Sequence, residues 1–161
     1  MDNRFIDFYL DVAKRVSLLS RAVRLKVGAV IVKDHRILSY GYNGTPTGFD
    51  NICEIEIPES IDPDSRTITP AQLVTKPEVI HAEMNAILKV AQSHESTKEA
   101  VLFLTHSPCV ECAKAILQSG ISTLYYSDSY RSSDGLDLLE KAGITVIKRG
   151  LYNESLHRTL S

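Results

Sequence analysis

The stretch Ala100-Val-Leu-Phe-Leu-Thr-His-Ser-Pro-Cys-Val-Glu-Cys112 changes character halfway along. Its apolar run, Ala100–Leu104, predicts a buried strand over 100–105. Ser107 and Pro108 then read as the N-cap and first residue of a helix over 108–119, since Ser caps exposed N–H groups and Pro tolerates the first turn. Gly120 would close that helix as its C-cap. Strand 121–127, helix 134–142 stopped by Gly143, and strand 144–148 follow. A helix over about 81–93 comes before. Strands alternating with helices of this length imply crossover units and a largely parallel sheet in this half.

The first half reads differently. Phe5, Phe8, Tyr9, Val12, Val16 and Leu19 recur at helical spacing and predict an amphipathic helix over 3–19, with Phe5, Phe8 and Tyr9 in the core. Val27–Val32 reads as a buried strand and Ile37–Tyr42 as its return after the turn Lys33–Arg36. A Gly- and Thr-rich loop, Gly41–Gly48, closes this unit. Residues 49–77 form an irregular excursion with Pro58, Pro63, Pro70 and Pro77, and a short helix is expected near Pro70–Val74. Its acids, from Asp50 through Asp64, read as a solvated loop. Loops of this length are uncommon in compact domains and often functional. The polar tail 150–161 is expected to fray or dock on a neighbour.

Composition bounds the function. At 161 residues, one domain is expected; a domain near this size buries roughly 70% of the surface its unfolded chain exposes. Eighteen Lys and Arg against 20 Asp and Glu leave a net charge of −2, unlike a protein living on nucleic-acid phosphates, where each contact needs a cation. The N-terminus mixes acids into its apolar residues and reads as no signal peptide. The longest apolar runs are too short to span a bilayer. A soluble, cytoplasmic protein is therefore expected. The three cysteines, Cys53, Cys109 and Cys112, include a Cys-x-x-Cys pair, which in such a chain points to metal or redox chemistry rather than to a disulfide framework.

The chemistry concentrates in His81-Ala-Glu83 and Pro108-Cys-Val-Glu-Cys112, each at the start of a predicted helix. Helix starts carry unpaired N–H groups and a positive dipole end, which favour thiolates. Cys109 and Cys112, three apart, converge on one ion. His81 supplies a third ligand and leaves the fourth tetrahedral position open, as in catalytic zinc sites. Residues at i and i+2 within a helix do not face each other, so His81 and Glu83 reach one pocket only at a helix entry. Glu83 is then a proton shuttle rather than a ligand. A structural zinc, completed by Cys53, His35, His94, His106 or His157, and a redox pair are the alternatives for the Cys-x-x-Cys alone. The joint pattern of His-x-Glu with Pro-Cys-x-x-Cys matches the zinc deaminase signature.

The chain resembles deoxycytidylate (dCMP) deaminases of the bacterial and large-phage type, within the cytidine deaminase-like superfamily. The residues that carry this are Ser20-x-x-x-Arg24-x-x-Val-Gly-Ala-Val30, Gly41-Tyr-Asn-Gly-Thr-Pro-Thr-Gly48, His81-Ala-Glu-Met-Asn-Ala-Ile87, Pro108-Cys-x-x-Cys112 and Tyr130-Arg131. The resemblance implies a three-layer α-β-α fold with a five-stranded mixed sheet flanked by helices, in a single deaminase domain over 1–161. It implies hydrolysis of dCMP to dUMP and ammonia, supplying thymidylate synthesis, in a homo-hexamer activated by dCTP and inhibited by dTTP. Mg²⁺ would accompany a triphosphate effector. The Ala82 N–H would meet the cytosine carbonyl, and His106 would support the site from behind.

The residues fit this reading. Arg24 is a fork-shaped cation suited to a 5′-phosphate, with Arg21, Lys26 and Arg131 as nearby alternatives. Asn43, between Tyr42 and Gly44, serves either a sugar or base edge or simply a turn. Ser107 and Arg131 are expected on the substrate side, and Tyr130 either stacks on the nucleotide or fills the core. Gly41, Tyr42 and Gly44 are candidates for an effector-responsive loop. His35, His94 and His157 are expected to face solvent. Relatives often carry a second, structural zinc before the His-x-Glu motif. Here that segment holds only Cys53 and no histidine, so one zinc per chain is expected and Cys53 is a small buried hydrophobe or an idle thiol. Lys89 and Gln92 depart from one phage branch, which puts dCTP activation in question. The competing functions are a tRNA adenosine deaminase, a nucleotide-sensing or competence-associated module of the same fold, and a structural zinc protein.

Overall fold

The apolar strand pair around Val30 and Phe103 forms the centre of a sheet with helices on both faces. The computed structural model describes residues 1–150 apart from Pro63 and Ser65. In chain order the elements are α1 (Asn3–Ser17), β1 (Gly28–Lys33), β2 (Arg36–Tyr42), β3 (Glu54–Ile57), β4 (Ser60–Ile61), β5 (Ile68–Thr69), β6 (Gln72–Thr75), α2 (Ala82–Ala91), β7 (Val101–His106), α3 (Val110–Gln118), β8 (Thr123–Asp128), α4 (Asp134–Lys141) and β9 (Thr145–Lys148). The main sheet has the order β2-β1-β7-β8-β9. β1 runs antiparallel to β2 and β7, while β7, β8 and β9 are parallel. This is the expected five-stranded mixed sheet of a three-layer α/β fold.

Strand alternation divides the core into two layers. Ala29, Ile31, Leu102, Leu104 and Leu124 face α2, α3 and α4. Val30, Val32, Phe103 and Tyr125 face the opposite way, against α1. Each Val, Leu, Ile or Phe so buried contributes about 1.5–3 kcal/mol. On the α1 side Phe103 stacks on Tyr125, with ring centroids 5.2 Å apart. Asp2 caps α1 by accepting from the Arg4 N–H at 2.9 Å.

Several sequence expectations are corrected. Phe5 and Phe8 are exposed, Phe8 by 53%. The stripe that meets the sheet is Ile6, Tyr9, Leu10, Ala13 and Val16, which leaves Phe5 at the rim, edge-on to His35. Pro70–Val74 is not a short helix. Gln72–Thr75 is a strand that pairs antiparallel with Glu54–Ile57, and its Leu73-Val74-Thr75 run suits a pleated surface better than a helix. The excursion is thus a ribbon: β3 with β6, then β4 with β5. Its acids are not all solvated, because Glu54 is only 7% exposed. Ser107 does not cap a helix; α3 begins at Val110 with Cys109 as N-cap, so Pro108 precedes the helix. His35 and His94 are exposed as expected, whereas His157 and the tail beyond Gly150 lie outside the described residues. Among the described residues, no helix is long and apolar enough to cross a membrane.

Candidate active site and metal centre

Two helix starts meet at one end of the sheet. His81 is the N-cap of α2, with extended backbone at φ −70° and ψ 156°. Cys109 is the N-cap of α3, also extended, at φ −72° and ψ 169°. Turning chain at both positions aims these side chains across the gap rather than along their helices. His81 Nδ1 lies 3.6 Å from Cys109 Sγ and 3.4 Å from Cys112 Sγ. The three ligand atoms lie within 4.8 Å of one another.

This donor set fits zinc on distances. A tetrahedral ion with Zn–S near 2.3 Å and Zn–N near 2.0 Å places sulfur and nitrogen ligands about 3.5 Å apart, and both separations here bracket that edge. The charges fit as well. Hydrogen bonds from the Cys112 thiol and from His81 bring the Cys109 thiol down to about 3. Cys112, donating to Cys109 and buried, is pushed up. His81 is raised by its bond to Cys109. The starts of α2 and α3 both point their positive ends here and favour a thiolate at Cys109.

Glu83 is the second residue of α2 and only 4% exposed. Burial pushes its carboxyl up to about 7. It lines, with His81, Ala82 and Cys109, a cavity of about 400 Å³. A carboxyl whose proton affinity sits near neutrality, beside a metal-binding group, is suited to both taking and giving a proton.

The other sequence candidates divide clearly. Arg24, Asn43, Ala82, Ser107, Tyr130 and Arg131 all line the same cavity. Arg21 and Lys26 do not, which leaves Arg24 and Arg131 as the arginine and lysine side chains lining it among the described residues. Asn43 spends its amide on the backbone: Oδ1 accepts from Val27 N at 2.8 Å and Nδ2 donates to Leu25 O at 2.8 Å. It pins the segment that carries Arg24. Ser107 Oγ accepts from Tyr130 N at 2.7 Å and so fixes the rim where Tyr130 stands. Tyr130 is 41% exposed and is not a core residue. His106 lines the cavity too, its imidazole lowered by burial against an opposing pull from Asp128.

Gly41, Tyr42 and Gly44 do not line the cavity, and the structure gives them packing work behind it. A Cβ on Gly41 would lie 2.2 Å from Ala82 O and 2.5 Å from Ala86 N, so glycine lets β2 touch the first turn of α2. Tyr42 O accepts from Asn85 Nδ2 at 2.8 Å. Gly44 exchanges backbone bonds with Ile80, next to His81. Sequence reasoning missed an equivalent on the cysteine side. A Cβ on Gly135 would lie 2.2 Å from Pro108 O, so the first turn of α4 packs directly on the Pro108–Cys109 loop. Glu54 and Thr75 of the excursion, and Val79 just after it, also line the cavity; no short-range sequence signal marks them. Cys53 is 1% exposed, its thiol raised first by burial and then by Glu54.

Fold and site together define a class: a three-layer α/β hydrolytic deaminase with a His/Cys/Cys group placed to hold a metal and a buried carboxyl. The chain belongs to the cytidine and deoxycytidylate deaminase family, whose zinc-binding region matches residues 2–128. It is 37% identical to the deoxycytidylate deaminase of Enterobacteria phage T4 across 85% of this chain and 86% of that protein. It is 36% identical to the ComE operon protein 2 of Bacillus subtilis (strain 168) across 86% of this chain and 68% of that protein. The dCMP deaminase of cyanophage S-TIM5, solved with dCMP and dUMP, superposes with a TM-score of 0.80 at 40% identity, covering 92% of this chain and 99% of that one.

Proposed function

We propose that the protein is a zinc-dependent dCMP deaminase that converts dCMP and water to dUMP and ammonia. The observation that carries this is that Glu83, His81 and Cys109, with Cys112 in the same ligand group, meet at a cavity that Arg24 also lines. The similarity to phage dCMP deaminases supports the choice of substrate.

His81, Cys109 and Cys112 would hold one zinc ion per chain, which supplies a Lewis acid that makes water nucleophilic near neutral pH. Glu83 takes a proton from the attacking water as oxygen adds to C4 of the cytosine ring. It returns that proton to ring N3, then moves the remaining proton of the added oxygen to the 4-amino group, so ammonia leaves as the C4–N bond breaks and the C4 carbonyl forms. The Ala82 N–H holds the base carbonyl. Arg24, with Arg131, binds the 5′-phosphate at the far end, and Tyr130 closes over the nucleotide. Control by dCTP and dTTP, a homo-hexameric assembly, a cytoplasmic location and a role in thymidylate supply follow from the resemblance to the bacterial and phage enzymes.

Ultraviolet assay of dCMP, CMP and deoxycytidine, with zinc measured on the same preparation, tests the proposal. Preferential turnover of dCMP with one zinc per chain is expected. Preference for deoxycytidine would remove the phosphate role of Arg24, and dTTP binding without turnover would favour a nucleotide-sensing module.

A further inference from the structure

We infer that the β3–β6 ribbon is the positioning element for substrate phosphate, because its cross-strand pair Glu54 and Thr75 grips Arg24 at both ends. The inference rests on the proposed reading of the cavity as a nucleoside monophosphate site, and it assigns work to residues outside the deaminase motifs.

Arg24 lies between the end of α1 at Ser17 and the start of β1 at Gly28, where the chain has no regular secondary structure. Such a segment would move, and a long guanidinium on it would lose rotamer freedom each time it met a ligand. Four hydrogen bonds to the ribbon, from three donors, remove that freedom in advance. Both Glu54 carboxylate oxygens accept from Val23 N, at 3.1 and 3.2 Å, and Oε1 also accepts from Arg24 N at 3.2 Å. Thr75 Oγ1 accepts from Arg24 Nη1 at 2.9 Å. Glu54 and Thr75 are direct partners in the β3–β6 register. One rung of the ribbon therefore holds both the backbone and the side-chain tip of a single arginine.

The energetics favour design over accident. Glu54 is more than nine-tenths buried and lines the cavity. A buried carboxylate is costly unless charge-assisted bonds satisfy it, and in a phosphate site it would also repel the ligand. Its oxygens are turned instead to the amides of the Arg24 segment. On the opposite side Asn43 holds Leu25 and Val27, so the segment is clamped between the deaminase core and the excursion. Thr75 occupies one edge of the guanidinium and leaves its remaining N–H donors for a bidentate contact with phosphate.

The test compares Thr75→Val, Thr75→Ser, Glu54→Gln and Arg24→Ala with the parent protein. The readouts are kcat and KM for dCMP, the ratio of kcat/KM for dCMP to that for deoxycytidine, dUMP affinity by calorimetry, and Tm. Thr75→Val is expected to raise KM for dCMP by about tenfold, as the loss of a hydrogen bond to a charged group predicts. It should also lower the selectivity ratio and weaken dUMP binding, with little change in kcat. Thr75→Ser restores all three. Glu54→Gln, which sets an amide against two N–H donors, should have the larger effect in the same direction; if it does not fold, the Thr75 pair decides alone. Parent-like selectivity and dUMP affinity in Thr75→Val, while Arg24→Ala loses both, would overturn the inference and leave the proposed function standing. A fall in kcat and Tm without a change in the ratio would show a merely structural role. A parent protein without preference for dCMP over deoxycytidine would overturn the functional reading itself.

Discussion

The two walls of the cavity are held in place by different means. The wall that carries His81, Glu83 and Cys109 is made by the starts of α2 and α3, which pack on the main sheet in the larger core layer. Backbones touch there: Gly41 admits α2 against β2, and Gly135 admits α4 against Pro108. The wall that carries Arg24 is an irregular segment held by Glu54, Thr75 and Asn43 through side-chain bonds. Close-packed backbone resists displacement, because a small shift costs many contacts at once, whereas a few hydrogen bonds can be exchanged singly. Under the proposed function, bond-making chemistry falls to the rigid wall and ligand recognition to the adjustable one.

Four measurements would break or sharpen that division. The largest effect belongs to Glu83→Gln, which keeps the shape of the rigid wall but removes the proposed proton carrier. Turnover should fall by about 10³- to 10⁴-fold with zinc content unchanged by atomic absorption; retained activity would refute the proton-shuttle role. Arg24→Ala should cut kcat/KM for dCMP by about 100-fold, as expected for the loss of charge-assisted bonds to phosphate. Steady-state kinetics should place most of that loss in KM, and an equal loss on deoxycytidine would contradict a phosphate contact. Gly135→Ala forces a Cβ against Pro108 O, where the spacing would be 2.2 Å. Overpacking of this kind costs about 1–3 kcal/mol, read as a lower Tm together with easier loss of zinc to a chelator. If Tm falls and zinc is retained as firmly as before, the glycine contact stabilises the fold without shaping the metal site. The smallest effect is that of salt. Arg24 is exposed, so KM for dCMP should rise by about two- to fivefold between 50 and 500 mM salt as screening shortens the Debye length. Zinc retention should not change over that range.

Which parts of the molecule were legible beforehand follows from how far apart the interacting residues lie. His81 with Glu83, and Cys109 with Cys112, each sit within one helix entry, so their spacing already dictates that they face one point. The apolar strands β1, β7 and β8 and the helices between them were equally readable, since burial on both faces leaves an uninterrupted apolar run. The ribbon was not. The four residues Gln72–Thr75 are too few to show a period of their own, and they become a recognisable strand only when Glu54–Ile57 lies alongside.

The sequence by itself determined the chemistry: two thiols, an imidazole and a carboxyl placed at two helix starts, in an alternating α/β chain of near-neutral charge. The tertiary structure alone decided how that chemistry is aimed. It buried Glu54 against amides 30 and 31 residues away, joined Thr75 to Arg24 across 51 residues, and set Gly135 against the cysteine loop. It also turned Phe5 and Phe8 outward, because only the docked sheet defines which side of α1 is inside. Local spacing can specify residues that share one turn of helix. Contacts between distant segments depend on how whole layers pack, and that information is spread over the entire chain.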